Sequence, residues 1–172
     1  MKIKNPISLK NPAKIQIKTI QEEIAKIFKL KKLTLSAVES CTGGLISKMI
    51  TEVPGSSSYF KGGLTAYSNE VKVNVLGIKK KTLTSFGAVS PQCAFEMAER
   101  AIKIFKTDFA VSTTGIAGPG GASAKKPIGM VYFGLAHNGK TKTYKKIFKG
   151  NRNRIQKEAA HFALNLLIKN IK

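Results

Sequence analysis

Apolar residues at Ile17, Ile20, Ile24, Ile27 and Phe28 recur three and four positions apart, with Lys and Glu between them. That period predicts an amphipathic helix ending near Lys32. The run Leu33 to Val38 then reads as a buried strand. It leads into Glu39-Ser40-Cys41-Thr42-Gly43-Gly44, after which Leu45, Ile46, Met49 and Ile50 resume helical spacing. The segment is therefore strand, sharp turn, helix.

Further along, Pro54 to Ser58 is a turn, and Gly63 to Ser68 is an alternating strand candidate with Tyr67 facing away from Leu64 and Ala66. Asn69 is the expected N-cap of a short helix containing Glu70, Lys72 and Leu76, closed by Gly77. Ser90-Pro91 is an N-cap with proline at the first helical position, opening a helix marked by Ala94, Met97, Ala98, Ala101, Ile102 and Phe105. Phe109 to Ser112 reads as a buried strand. After a Gly/Pro-rich loop to Pro127, strands at Met130 to Ala136 and Lys142 to Phe148 form a hairpin around His137-Asn138-Gly139. Ala159, Phe162, Ala163, Leu166 and Leu167 give the core face of a last helix.

This order predicts an α/β single-domain layered sandwich, with a mixed central sheet and helices on both faces. Residues 1–13 carry Pro6, Pro12 and several lysines without an apolar period, and are expected to be a flexible basic arm. The folded domain is expected to occupy residues 14–172.

At 172 residues and 42% hydrophobic, the chain has length for one well-cored domain. No apolar run approaches the roughly 20 residues of a membrane span, and the N-terminus lacks the pattern of a secretory signal. The expected location is the cytoplasm, without membrane association. Cys41 and Cys93 are expected to be reduced thiols there. Thirty Lys plus Arg against nine Asp plus Glu give a formal charge of +21, a field that attracts polyanions and phosphorylated metabolites. Only Arg100, Arg152 and Arg154 are arginines, and the lysines are spread along the whole chain. Nucleic-acid reading favours clustered arginine forks, so nucleic acid is not the expected partner. The competing reading is a basic nucleic-acid-binding accessory protein without catalysis, whose affinity would fall steeply with salt.

One aspartate, Asp108, and two histidines, His137 and His161, leave little material for metal sites or a Ser-His-Asp triad. No metal is expected. Ser40 occupies the point where a strand turns into a helix, which can present a hydroxyl to a cleft and aim the N–H groups of Thr42 or Gly43 at a developing oxyanion. On spacing alone Ser40 or Thr42 equally serves as a helix cap, and Cys41 is a neighbouring thiol. With histidine scarce, the base for a serine is a lysine whose pKa is lowered by burial. Spacing does not select which one. Ser58-Tyr59-Phe60-Lys61 matches S-x-x-K but lacks its companion motifs. The loop Gly115 to Gly121 suits close approach of a phosphate or ring, or is a plain turn; it is neither a Walker loop nor G-x-G-x-x-G.

Four segments together carry a resemblance: Ala37-Val38-Glu39-Ser40-Cys41-Thr42-Gly43-Gly44; Ala66-Tyr67-Ser68-Asn69-Glu70-Val71-Lys72; Gly87-Ala88-Val89-Ser90; and Thr114 to Gly121 continuing to Lys126-Pro127-Ile128-Gly129. From Leu33 to the C-terminus the chain resembles the C-terminal domain family of CinA. That family, named for competence or damage induction, is also known as PncC, the nicotinamide-nucleotide amidase. The resemblance implies hydrolysis of nicotinamide mononucleotide to nicotinate mononucleotide and ammonia, within pyridine nucleotide recycling. It implies Ser40 as nucleophile, Lys72 as base and Tyr67 as an assisting hydroxyl, working without metal or cofactor. Thr42, Gly43, Thr114, Gly115, Gly118, Gly120 and Lys126 are expected to bind the small-molecule nucleotide substrate, and a homo-oligomer is expected. Larger members carry a preceding nucleotide-hydrolase domain, so a coupled pyrophosphatase activity is not expected here.

Overall fold

The computed structural model describes residues 19–171; the arm expected over residues 1–13, and Ile17, lie outside them. Helix α1 (Ile20–Lys31) starts at a capping box, in which the Thr19 hydroxyl accepts from the Glu22 N–H and the Glu22 carboxylate accepts from the Thr19 N–H. Then follow β1 (Leu35–Glu39), α2 (Leu45–Thr51), β2 (Phe60–Thr65), α3 (Asn69–Asn74), α4 (Lys80–Phe86) and α5 (Pro91–Phe105). The chain closes with β3 (Phe109–Gly115), β4 (Met130–His137), β5 (Lys140–Ile147) and α6 (Arg152–Asn170). No helix among the described residues is long and apolar enough to cross a membrane.

The five strands form one sheet in the order β2-β1-β3-β4-β5. β2, β1 and β3 are parallel, while β4 and β5 continue antiparallel. This is the mixed sheet that the pattern predicts. Side chains alternate across it, so Leu35, Ala37, Phe109, Val111, Val131, Phe133 and Leu135 pack against α1, α2 and α6. Val38, Ala110 and Ala136 face the other way, onto Met97, Ala98 and Ala101 of α5 and onto Leu76 and Ile78. Each fully buried large aliphatic or aromatic side chain contributes about 1.5–3 kcal/mol.

Several boundaries move. β2 begins at Phe60 and ends at Thr65, because the parallel ladder with β1 imposes extended backbone on Lys61, Gly62 and Gly63, residues of weak strand preference. Tyr67 consequently lies beyond the strand. Ser68, not Asn69, caps α3, accepting from the Val71 N–H. Helix α4 had no apolar period to announce it; it is tied down by Lys79 N–H and Thr82 Oγ1, both donating to the Glu96 carboxylate. β3 continues past Ser112 because its polar residues are buried with partners: Ser112 Oγ donates to Ala94 O, and Thr114 Oγ1 to Ala88 O. The β4–β5 turn is the expected Asn138-Gly139 pair, with φ of 50° and 69°.

The path of the chain opens a crevice. It leaves β1 toward α2 on one face and leaves β2 toward α3–α5 on the other, so the carboxyl ends of β1, β2 and β3 border a gap, the position where α/β sheets bind ligands.

Candidate active site

Ser40 follows β1 directly and is held on both sides. Its N–H donates to Thr113 O at 3.0 Å, and the carbonyl of Glu39 accepts from the Ala66 N–H at 2.8 Å. Strand alternation carries through the turn. Glu39 points with Ala37 toward α2, and Ser40 points with Val38 toward the layer of α3 and α5. Gly43 and Gly44, at φ of 65° and 97°, supply the left-handed backbone that the turn requires.

The N-terminus of α2 departs from expectation. Gly44 is its N-cap, and neither Ser40 nor Thr42 caps it. The Glu39 carboxylate takes that role, accepting from the N–H groups of Gly44, Ile46 and Ser47. The Gly43 N–H donates to Ser40 O at 3.1 Å, so it is already engaged and is not aimed at a bound carbonyl.

Lys72 reaches Ser40 from α3. The Ser68 cap and the Lys72 N–H to Ser68 O bond fix the first turn, and Ile78 N–H donates to Lys72 O, so the backbone of Lys72 is anchored at both ends. Its side chain is 1% exposed. Nζ lies 3.0 Å from Ser40 Oγ, 2.7 Å from Ala66 O and 3.3 Å from Tyr67 O. No carboxylate pairs with it among the described residues. Burial pushes the amine below its ordinary value, opposed by the thiols of Cys93 and Cys41. Those thiols are themselves driven up by burial, to about 12 for Cys41 and about 11 for Cys93. At neutral pH both are uncharged, so their opposition lapses and desolvation governs Lys72.

A cleft of about 310 Å³ opens over this pair. It brings together Ser40, Tyr67, Lys72, Thr114, Gly115, Gly118 and Gly120. Thr42 and Gly43 sit instead at a separate hollow beside Lys48 and Gln156, since the turn directs them to the α2–α6 side of β1. Lys126 is outside the cleft too, its Nζ donating to Phe86 O. A larger hollow of about 390 Å³ lies at the opposite end of the sheet, around Thr107 and His137, and carries no serine or cysteine.

Sequence reasoning passed over Arg152. It stands at the start of α6 and lines the cleft, donating to Gly118 O at 2.9 Å and to Tyr67 Oη at 2.6 Å. No carboxylate pairs with it among the described residues. Asn151 as N-cap of α6 was the usable signal, together with the rarity of arginine in a lysine-rich chain. The same loop holds a cis Gly118–Pro119 peptide.

A buried serine hydroxyl beside a buried amine that has no carboxylate partner among the described residues, with a cationic fork across the cleft, is an arrangement suited to acyl transfer on an anionic substrate. Comparison with known proteins bears on where it comes from. The family model for the CinA C-terminal domain matches residues 17–171. A CinA-like protein of Leptospira interrogans is 49% identical over 152 residues, which take up 88% of this chain and 36% of that protein. The chain thus spans about a third of the length of the curated relatives it matches. Among solved structures, the competence/damage inducible protein CihA from Agrobacterium tumefaciens is 41% identical, with a TM-score of 0.84 over 87% of this chain and 92% of that one. The competence or damage-inducible protein from Enterobacter asburiae is 31% identical, with a TM-score of 0.86 over 89% and 96%. The chain belongs to the CinA C-terminal domain family.

Proposed function

We propose that the protein is an amidohydrolase that converts nicotinamide mononucleotide to nicotinate mononucleotide and ammonia, with Ser40 as nucleophile and Lys72 as its base. The observation that carries this reading is the set of three oxygens around Lys72 Nζ. A neutral amine has two N–H bonds and one lone pair. The carbonyls of Ala66 and Tyr67 take the two donors, and the lone pair is left for the Ser40 proton. Burial without a carboxylate partner favours that neutral form.

Lys72 removes the Ser40 proton as Oγ bonds to the carboxamide carbon. The C–N bond then breaks, and the amide nitrogen leaves as ammonia carrying the proton that Lys72 took from Ser40, passed on directly or relayed through the Tyr67 hydroxyl, so that Lys72 is neutral again. Water next attacks the acyl-serine ester, gives its proton to Lys72, and releases the carboxylate as the Ser40 hydroxyl re-forms. Arg152 supports an anionic substrate, because its charge lies in the cleft without a carboxylate partner. The glycine loop beside it allows close backbone approach.

The test is ammonia release from nicotinamide mononucleotide, nicotinamide riboside and nicotinamide, measured side by side. Turnover of the mononucleotide that falls by at least about a thousandfold in folded Ser40→Ala and Lys72→Ala proteins supports the reading. Turnover by wild type on none of the three, or by Ser40→Ala at the wild-type rate, overturns it.

A further inference from the structure

Glu39 is the last residue of β1, precedes Ser40 in the chain and is fully buried. Its carboxylate collects five hydrogen bonds. Oε2 accepts from Thr42 Oγ1 at 2.7 Å and from the N–H groups of Gly44 and Ile46, each at 3.0 Å. Oε1 accepts from the N–H and the hydroxyl of Ser47, both at 2.8 Å. No cation pairs with it among the described residues. Because Thr42 spends its one proton on Glu39, the 2.8 Å contact between Thr42 and Thr113 hydroxyls has Thr113 as donor, which ties the turn to β3 as well.

Every partner of this carboxylate is a donor, and all of them belong to the segment that begins two residues after Ser40. An apolar residue would fill the same space but leave those donors buried and unmet. A glutamine would set its NH₂ against donors already in place. A charged acceptor is thus required at this position, and it binds the turn on one side of β1 while Ser40 emerges on the other.

We infer that Glu39 is a positioning residue for Ser40: by gathering the donors of residues 42–47 it locks the turn at the angle that keeps the Ser40 hydroxyl within reach of Lys72. The inference rests on the amidase reading for its kinetics but not for its geometry. By occupying the N–H groups of Gly44, Ile46 and Ser47 at the start of α2, Glu39 also withholds those three from the cleft.

The experiment compares wild type with Glu39→Gln and Ser47→Ala, which removes one of the five donors. Two readouts are used: kcat and KM for nicotinamide mononucleotide, and the rate at which a fluorophosphonate probe labels Ser40, followed by mass spectrometry. A misplaced nucleophile costs rate at the chemical step, so folded Glu39→Gln is expected to lose on the order of 10- to 100-fold in both kcat and labelling with KM within about twofold. Ser47→Ala is expected to lose a smaller factor of the same kind. A folded Glu39→Gln with wild-type kcat and labelling overturns the inference, as does a loss confined to KM. Should Glu39→Gln fail to fold, unchanged kcat and labelling in Ser47→Ala overturns it. Wild type that labels at Ser40 but releases no ammonia removes the amidase reading alone, and Glu39 is then judged by labelling. Wild type that does neither removes both.

Discussion

The guanidinium of Arg152 lies 2.6 Å from the phenolic oxygen of Tyr67. Arginine can only donate, so Tyr67 Oη is the acceptor in this pair and its own proton is directed elsewhere. Arg152 thus has two tasks open to it: holding Tyr67 and meeting an anion. Replacing it separates them. Arg152→Ala is expected to raise KM for the mononucleotide about 10- to 100-fold, the worth of one or two charge-assisted hydrogen bonds, and to change KM for the riboside little. Steady-state kinetics on both substrates checks this; equal losses on the two would remove Arg152 from phosphate recognition. Arg152→Lys, lacking the fork, is expected to restore less than half of the lost binding energy.

Lys72 predicts a pH dependence in both activity and stability. Its amine titrates below the ordinary value of 10.5 in the folded chain, so kcat/KM is expected to rise with pH through that lowered pKa as the neutral base forms. For stability, the unfolded chain binds a proton at Lys72 that the folded chain does not, across the window from the lowered pKa up to about 10.5. Stability conferred by this residue therefore increases with pH in that window and is weakest below it. Denaturant melts of wild type and Lys72→Met over pH 6 to 10 test the sign. The difference, wild type minus variant, should grow with pH; a flat difference would mean that Lys72 is an ordinary ammonium in the fold.

Cys41 adjoins Ser40 and is a chemical competitor for the role of nucleophile. Buried at 6% exposure, with its thiol pushed up to about 12, it is a neutral, shielded group. Cys41→Ala is expected to keep kcat within a few-fold of wild type, and iodoacetamide at pH 7.5 is expected to leave the folded protein unmodified. Inactivation that tracks alkylation of Cys41 would contradict this.

Gly134 gives a stability prediction away from the cleft. A Cβ there would collide with the carbonyl of Ala94 on α5 and approach Ser112 Oγ, both fixed parts of the structure. Gly134→Ala is expected to lose about 1–3 kcal/mol in equilibrium unfolding, the usual cost of overpacking. Wild-type stability in this variant would mean that α5 does not seat directly on β4.

The elements with strong local signals were legible from the chain. The Ser90-Pro91 start of α5 and the Asn138-Gly139 turn carry their own backbone chemistry, and the structure places both where the residues indicate. The first half of β2 and the whole of α4 were not, because Lys61-Gly62-Gly63 becomes a strand only by pairing with β1, and α4 is held by Glu96 from a distant helix. The same division runs through the cleft. Ser40 announced itself by its place between strand and glycines, whereas Lys72 was one lysine among many until a family resemblance singled it out. Arg152 lies 85 residues from Tyr67 in the chain, so their pairing is a property of the tertiary fold alone. Glu39 read as the first residue of the turn after the Leu33 to Val38 strand, and its role as the acceptor for α2 appears only once the helix N-terminus is in place.

The central claim, an acyl group carried on Ser40, is tested most directly by giving the enzyme hydroxylamine as a competitor to water during turnover of nicotinamide mononucleotide. An acyl-serine ester partitions between the two nucleophiles, so the account predicts a hydroxamate of the nucleotide alongside nicotinate mononucleotide, and neither product from Ser40→Ala. Formation of nicotinate mononucleotide alone, at a rate that survives loss of Ser40, would contradict it.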